Sequence, residues 1–297
     1  MYQWHLGVIS CLMHIGILTN TFATTNADAT VAALKRHGIT HIQLELASVG
    51  LEPMPAVFDP TYVSHIGTTF AKAGITVTAV SGTFNMIHPD PVHRADGLRR
   101  LDVLAAMCQS LGTRTITLCT GTRDTTSMWR WHADSYTDDA WRDLVSSMTT
   151  ATRIAERYGV TMAFEPEVNN SVDSAQKARR LLDTVGSDHL KVVIDGANVF
   201  HTGELARMRD VLEETFALLG NDIALAHTKD LDHDGDAGHL PAGQGLLDYG
   251  LYLSLLRRMG FEGALVLHGL SEGDVDGCVA FLRGHLADLP GGSAKSS

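Results

Sequence analysis

The sequence predicts a single α/β domain folded as a closed (β/α)8 barrel, and three observations carry that expectation. Seven times an amphipathic stretch closes on glycine and an apolar run follows: RHGITHIQLEL, KAGITVTAV, SLGTRTITL, RYGVTMAFE, TVGSDHLKVVID, LLGNDIALAH and RRMGFEGALVLH. Glycine just past a helix supplies a left-handed C-cap, so Gly38, Gly74, Gly112, Gly159, Gly186, Gly220 and Gly260 mark turns from helix to strand. With HIGILTN (residues 14–20) placed first, the strands number eight, and strands alternating with helices in about 250 residues fit a barrel of right-handed βαβ units. Second, the runs are continuously apolar, as strands covered on both faces are. Third, an open doubly wound sheet needs a glycine fingerprint after its first strand, and the segment there, TFATTNADAT, has none.

Taken in order, residues 1–12 read as an N-terminal extension or alternative start, with Met13 opening the first strand. No Lys or Arg precedes Lys35, and no apolar run approaches the roughly 20 residues of a membrane span. Asn26 caps a first helix whose Val31 and Leu34 recur at helical spacing up to His37. Arg99 to Ser110 carries Leu101, Leu104, Ala105 and Cys108 on one stripe, and Trp141 to Tyr158 carries Leu144, Met148, Ala151 and Ala155. Both are outer helices with one buried face. Asp248 to Met259 and Val275 to Leu286 have the same character, the second closing the barrel over residues 13–287. The tail, residues 288–297, ends in GGSAKSS and reads as disordered. Between the fourth strand and its helix lies a long irregular segment, CTGTRDTTSMWRWHADSYTDD, expected on the same face as the strand ends.

Composition excludes some functions. A chain of 297 residues with 44% hydrophobic content can bury a full core, and a formal charge of −11 lacks the basic footprint of a nucleic-acid binder. Cysteines 11, 108, 119 and 278 have neither zinc-knuckle nor disulfide spacing, which points to a reduced, cytoplasmic compartment. No membrane partner is expected, and association into a homo-oligomer is compatible with a barrel.

Four apolar runs stop on side chains that can hold a divalent metal: VTMAFE at Glu165, LKVVID at Asp195, DIALAH at His227 and GALVLH at His268. Carboxyl ends of strands are where parallel α/β enzymes carry their chemistry. Any one of these residues alone has an ordinary reading as a helix cap, an ion-pair partner or a satisfied histidine at the rim. Four crowded in one mouth would repel or stay unsatisfied without a cation. Two carboxylates and two imidazoles suit manganese, cobalt, iron or zinc better than calcium, with magnesium less favoured and manganese the leading expectation. Such a metal can polarise a hydroxy-ketone and acidify the neighbouring C–H, while Glu165 or Glu167, two residues on, supplies a base. Lys229 stands in the same relation to His227 and can stabilise an enediolate oxygen. An ion pair between barrel loops accounts for Glu167 and Lys229 equally well.

AFEPE, VIDGAN, HTKD and PAGQGLLDYGLYLSLLRRMGFEG, in that order, resemble the xylose isomerase-like TIM barrels, the sugar phosphate isomerase/epimerase family, over residues 13–287. The GQG segment and its following helix are the most specific part. The resemblance implies a divalent metal held by Glu165, Asp195 and His227, with Asn198, His201 and Lys229 nearby, acting on a carbohydrate or cyclic polyol. It also exposes a departure, because the family's epimerases carry a second glutamate at the end of strand eight where this chain has His268. An imidazole still ligates, but inversion at carbon needs two proton-transfer groups. Either Glu167 or Glu272 replaces the missing carboxylate, or the chemistry is one-base isomerisation or elimination.

Substrate contacts are expected from Asn85 and His88 after strand three and from Arg123, Trp129, Trp131 and His132 in the long loop. Tryptophans can stack on sugar faces, and Arg123 can bind a phosphate or carboxylate bidentately. HGLSEG after strand eight has little of a barrel phosphate site, which favours an unphosphorylated substrate. The expectation is a metal-dependent sugar isomerase or epimerase. The alternatives are a metal-dependent lyase on a keto-sugar or keto-inositol and a non-catalytic sugar-binding barrel.

Overall fold

The computed structural model describes residues 13–289. Eight strands pair in parallel: β1 His14–Leu18, β2 His41–Leu44, β3 Thr76–Ser81, β4 Thr115–Cys119, β5 Thr161–Glu165, β6 Leu190–Asp195, β7 Ile223–Asp230 and β8 Ala264–Leu267. Each lies beside its sequence neighbours, and β8 also pairs with β1, His14 opposite Ala264, which closes the barrel. The only addition to the ring among the described residues is a two-residue antiparallel strand, Leu240–Pro241, on the extended end of β7.

The helices are α1 Ala27–Arg36, α2 Pro60–Lys72, α3 Pro91–Leu111, α4 Asp138–Tyr158, α5 Ala175–Val185, α6 Met208–Leu219, α7 Tyr249–Arg258 and α8 Val275–Asp288. Asn26 accepts the Ala29 amide hydrogen at 2.9 Å, as its sequence position suggests. Helix α3 starts eight residues before the expected Arg99, because Asp90 caps it and Pro91 occupies the first turn. Helix α8 runs on to Asp288, and Leu289 is buried. The expected extension and the rest of the tail lie outside the described residues.

Six of the seven punctuating glycines have positive φ, while Gly220 does not, at −54°. It begins a 3-10 turn instead, and a Cβ there would lie 2.0 Å from the sulfur of the exposed Met259, a flexible side chain that can turn aside, so backbone handedness does not demand glycine at this position.

Strand alternation divides the core in two. Met162, Phe164, Val192, Ile194, Leu265 and Leu267 face the helices. Leu18, Ala79, Ala163, Val193, Leu225, Ala264 and Val266 fill the lumen. Counting two residues onward from Ala163, Val193, Leu225 and Val266 reaches Glu165, Asp195, His227 and His268. The period of two therefore delivers all four to the inside of the barrel at its carboxyl end.

Candidate active site

Those four side chains meet. One ligand atom from each lies within 4.8 Å of the others. Asp195 and His227 are paired across the β6–β7 register. Above them opens a cavity of about 410 Å³, also lined by Gln43, Glu45, Trp129, Glu167, Lys229 and Asp236. A second cluster able to hold an ion, Asp232 with His233 and His239, is exposed on the loop after β7.

The hydrogen bonds fix how each ligand side chain is presented. Gln43 donates through Nε2 to Ser81 Oγ at 2.9 Å and Thr117 Oγ1 at 3.1 Å, which leaves its Oε1 to accept from His227 Nε2 at 2.8 Å. A hydrogen is thereby fixed on Nε2, and Nδ1 is turned toward Glu165 Oε2, 3.2 Å away. Nδ1 is buried with no hydrogen-bond partner. A buried imidazole nitrogen facing a carboxylate needs positive charge between them, a proton in the empty site or a metal cation in the loaded one. The donor set thus fits a divalent metal. Asn198 donates to the other oxygen, Glu165 Oε1, at 2.7 Å. Asp195 Oδ1 accepts from the Ala197 amide at 2.9 Å, and Oδ2 lies 3.2 Å from His268 Nε2 and 3.6 Å from Lys229 Nζ.

Electrostatics assigns charges. Burial acts to raise the Asp195 carboxyl, but the Lys229 ammonium and the bond from His268 overcome it and hold the group ionised, below its ordinary range. Glu165 is likewise held low, burial being outweighed by His227 and Lys229. Burial, with His227 and Lys229 adding to it, depresses the His268 imidazole to about 4, so it is neutral and able to ligate. Burial also opposes charge on Lys229, but Asp195, Glu165 and Glu167 keep it protonated. Glu167 goes the other way: burial and the Glu165 charge push it up to about 8, so it carries a proton at neutral pH.

Trp129 lines the cavity and is 43% exposed. Other expected contacts lie elsewhere. Arg123 does not reach the cavity; it donates to the Ile87 carbonyl at 2.7 Å and to Asp143 at 2.6 Å, anchoring the long loop. Asn85 spends its amide on Thr122, whose carbonyl accepts from Nδ2 at 2.8 Å and whose amide donates to Oδ1 at 3.2 Å. His88 accepts from the Asp90 amide and stacks on His93, so it is a turn residue. His201 bonds the Asp173 carbonyl at 2.9 Å, away from the mouth. Trp131 packs near Tyr136, and His132 accepts from the Asp134 amide. Glu272, a suggested substitute for the missing carboxylate, pairs with Arg36 at 2.6 Å instead. Asn198 is 1% exposed and joins Glu165 to Lys229, which donates to its Oδ1 at 3.0 Å; it positions those groups rather than meeting solute.

The GQG segment is structural as well. Asp230 accepts from the Gly243 and Leu247 amides at 3.0 and 2.9 Å, and a Cβ on Gly245 would fall 2.5 Å from that carboxylate. Sequence reading missed Gln43, Glu45, Ser81 and Thr117. For Gln43 and Glu45 the signal was present in HIQLEL, where polar residues alternate with leucine and therefore share the inner face.

Among the described residues no helix is long and apolar enough to cross a membrane. The sequence matches the family described as xylose isomerase-like TIM barrel over residues 31–277. No curated protein matches it by sequence. Similar solved structures include the 3-keto-D-glucoside 4-epimerase YcjR from E. coli, at 17% identity and TM-score 0.71, covering 92% of this chain and 99% of that one. The IOLI protein with a bound zinc atom has 17% identity and TM-score 0.69, covering 96% and 100%. An L-ribulose 3-epimerase has 17% identity and TM-score 0.67, covering 96% and 89%. At such identities the likeness is one of fold.

Proposed function

The chain belongs to the xylose isomerase-like TIM barrel family, and from that premise we propose that it is a metal-dependent sugar isomerase or epimerase. Its substrate is a ketose, aldose or cyclic polyol, and its intermediate an enediolate. The observation that carries the reading is the orphaned His227 Nδ1 facing Glu165 across 3.2 Å, beneath a cavity of about 410 Å³ that suits a small ligand. Glu165, Asp195, His227 and His268 hold the ion. The donor set suits manganese first, with cobalt, iron, zinc or magnesium as other occupants.

A divalent cation there supplies Lewis acidity that polarises a carbonyl and acidifies the adjacent C–H. Glu165, ionised and fixed by Asn198, accepts that proton. The Lys229 ammonium faces the same cavity and stabilises the enediolate oxygen. Glu167, which carries a proton, returns one to oxygen or carbon. Trp129 offers its ring to the sugar face and limits water. In the metal-loaded protein, Glu165→Gln is expected to abolish deuterium exchange into a panel of ketoses. Exchange at the wild-type rate would remove Glu165 from this role.

The proton on Glu167 also favours a second reading, a lyase that protonates a leaving hydroxyl of a keto-sugar or keto-inositol. Metal-dependent appearance of an unsaturated product distinguishes it.

A further inference from the structure

The four proposed ligands occupy one half of the ring, β5 to β8, and the missing strand-eight carboxylate leaves the proton inventory of the other half to be asked about. Carboxyls lining the cavity among the described residues are Glu45, Glu165, Glu167 and Asp236. Asp236 accepts from the Ala237 amide and from Asn169 at the rim. Glu165 and Glu167 both come from β5. Glu45 alone comes from the β1–β4 half.

Its direction follows from the backbone. Gln43 points inward, since its amide reaches His227, Ser81 and Thr117, and Glu45 lies two residues on with its own amide held by Thr19 Oγ1 at 2.9 Å. In a ring of eight, β2 stands four strands from β6, so Glu45 sits across the mouth from Asp195. Ser81 Oγ accepts from Gln43 and keeps its own hydrogen for the Glu45 carboxyl.

We propose that Glu45 is the second proton-transfer residue of the enediolate reaction, working on the face of the substrate carbon turned away from Glu165, so that the chain is a two-base epimerase. This deepens the reading above and rests on it. Glu165 takes the C–H proton and the bonding pair passes into the enediolate. Glu45, as a carboxylic acid, then gives its proton to the same carbon from the opposite side and the carbonyl re-forms. Glu165 ends protonated and Glu45 ionised, exchange with solvent resets both, and nothing is oxidised or reduced. Burial shifts the Glu45 carboxyl upward, against the Ser81 bond, which is the direction an acid in this step needs.

The test follows free ketoses in deuterated water with manganese-loaded wild type, Glu45→Gln and Glu45→Asp, measuring C–H exchange by NMR, inversion by chromatography and bound metal by elemental analysis. Wild type is expected to exchange and invert. Glu45→Gln should bind metal as wild type does, keep exchange within a few fold and lose inversion by about a hundredfold or more. Glu45→Asp, which keeps a carboxyl, should recover part of it. Inversion near the wild-type rate in Glu45→Gln would overturn the proposal, as would joint loss of exchange and inversion with metal still bound. Wild type that exchanges without inverting overturns this inference alone, whereas wild type with metal and no exchange on any ketose overturns the underlying reading with it.

Discussion

His227 Nε2 points its hydrogen at Gln43 Oε1, 2.8 Å away, and that single bond decides which nitrogen of the ring faces Glu165. Gln43 can accept because both its amide hydrogens are taken by Ser81 and Thr117. A residue on β2 thereby sets the tautomer of a proposed ligand on β7.

Replacing this amide should therefore weaken metal binding without touching a ligand. Gln43→Leu is expected to lower affinity for manganese or zinc by about 10–100-fold, the usual effect of losing such a partner. Calorimetric titration checks this, and unchanged affinity would contradict it.

Lys229 is 7% exposed and surrounded by Asp195, Glu165 and Glu167. Lys229→Met keeps the length and removes the charge. A fall in kcat on the order of a hundredfold or more is expected, with one metal ion still bound. Steady-state kinetics beside elemental analysis separates this from loss of the metal itself.

Arg123, which the sequence suggested for an anionic substrate, serves the long loop. Arg123→Ala should cost about 1–3 kcal/mol of stability through lost bonds to Ile87 and Asp143, and leave KM unchanged within a few fold. A large rise in KM at unchanged Tm would reverse that assignment.

Stability of the metal-free protein should depend on acid in a defined window. His268 takes its proton near 6.5 when unfolded and at about 4 when folded, because burial opposes the charge. Between these values His268 binds more protons in the unfolded chain, so its own contribution to stability falls as pH falls, by on the order of 3 kcal/mol at the lower edge. The carboxylate of Asp195, held ionised by Lys229, acts in the same direction only at still lower pH. Glu167, pushed up to about 8, binds its proton in the folded chain over much of this range and contributes in the opposite sense, so the His268 contribution is read as a difference: by chemical denaturation in a chelator across pH 4–7, wild type should lose stability relative to His268→Gln as pH falls.

Much of this was legible in the chain. Continuous apolar runs and C-terminal glycines specified the barrel, and the strand-end positions of Glu165, Asp195, His227 and His268 specified where polar atoms would converge. Gly220 was misread because a glycine that leads a helix into a 3-10 turn looks, in sequence, like one demanded by positive φ. Arg123, Asn85 and His88 are bonded within the loops, and their sequence signal is ambiguous because a loop's own hydrogen-bond needs select the same polar types as a ligand does. Gln43 and Glu45 were passed over because a strand with polar residues on its inner face reads as a less perfect strand, not as half of a site. Partner identity across the barrel, such as Gln43 with His227 over 184 residues of sequence, is set by closure of the ring and has no local mark.

The central claim is that Glu165, Asp195, His227 and His268 hold one cation. Calorimetric titration of chelator-treated protein with manganese, in wild type and Asp195→Asn, tests it most directly. One site per chain is expected in wild type and its loss in the variant; no uptake by wild type, or equal uptake by both, would show that these four side chains hold no ion.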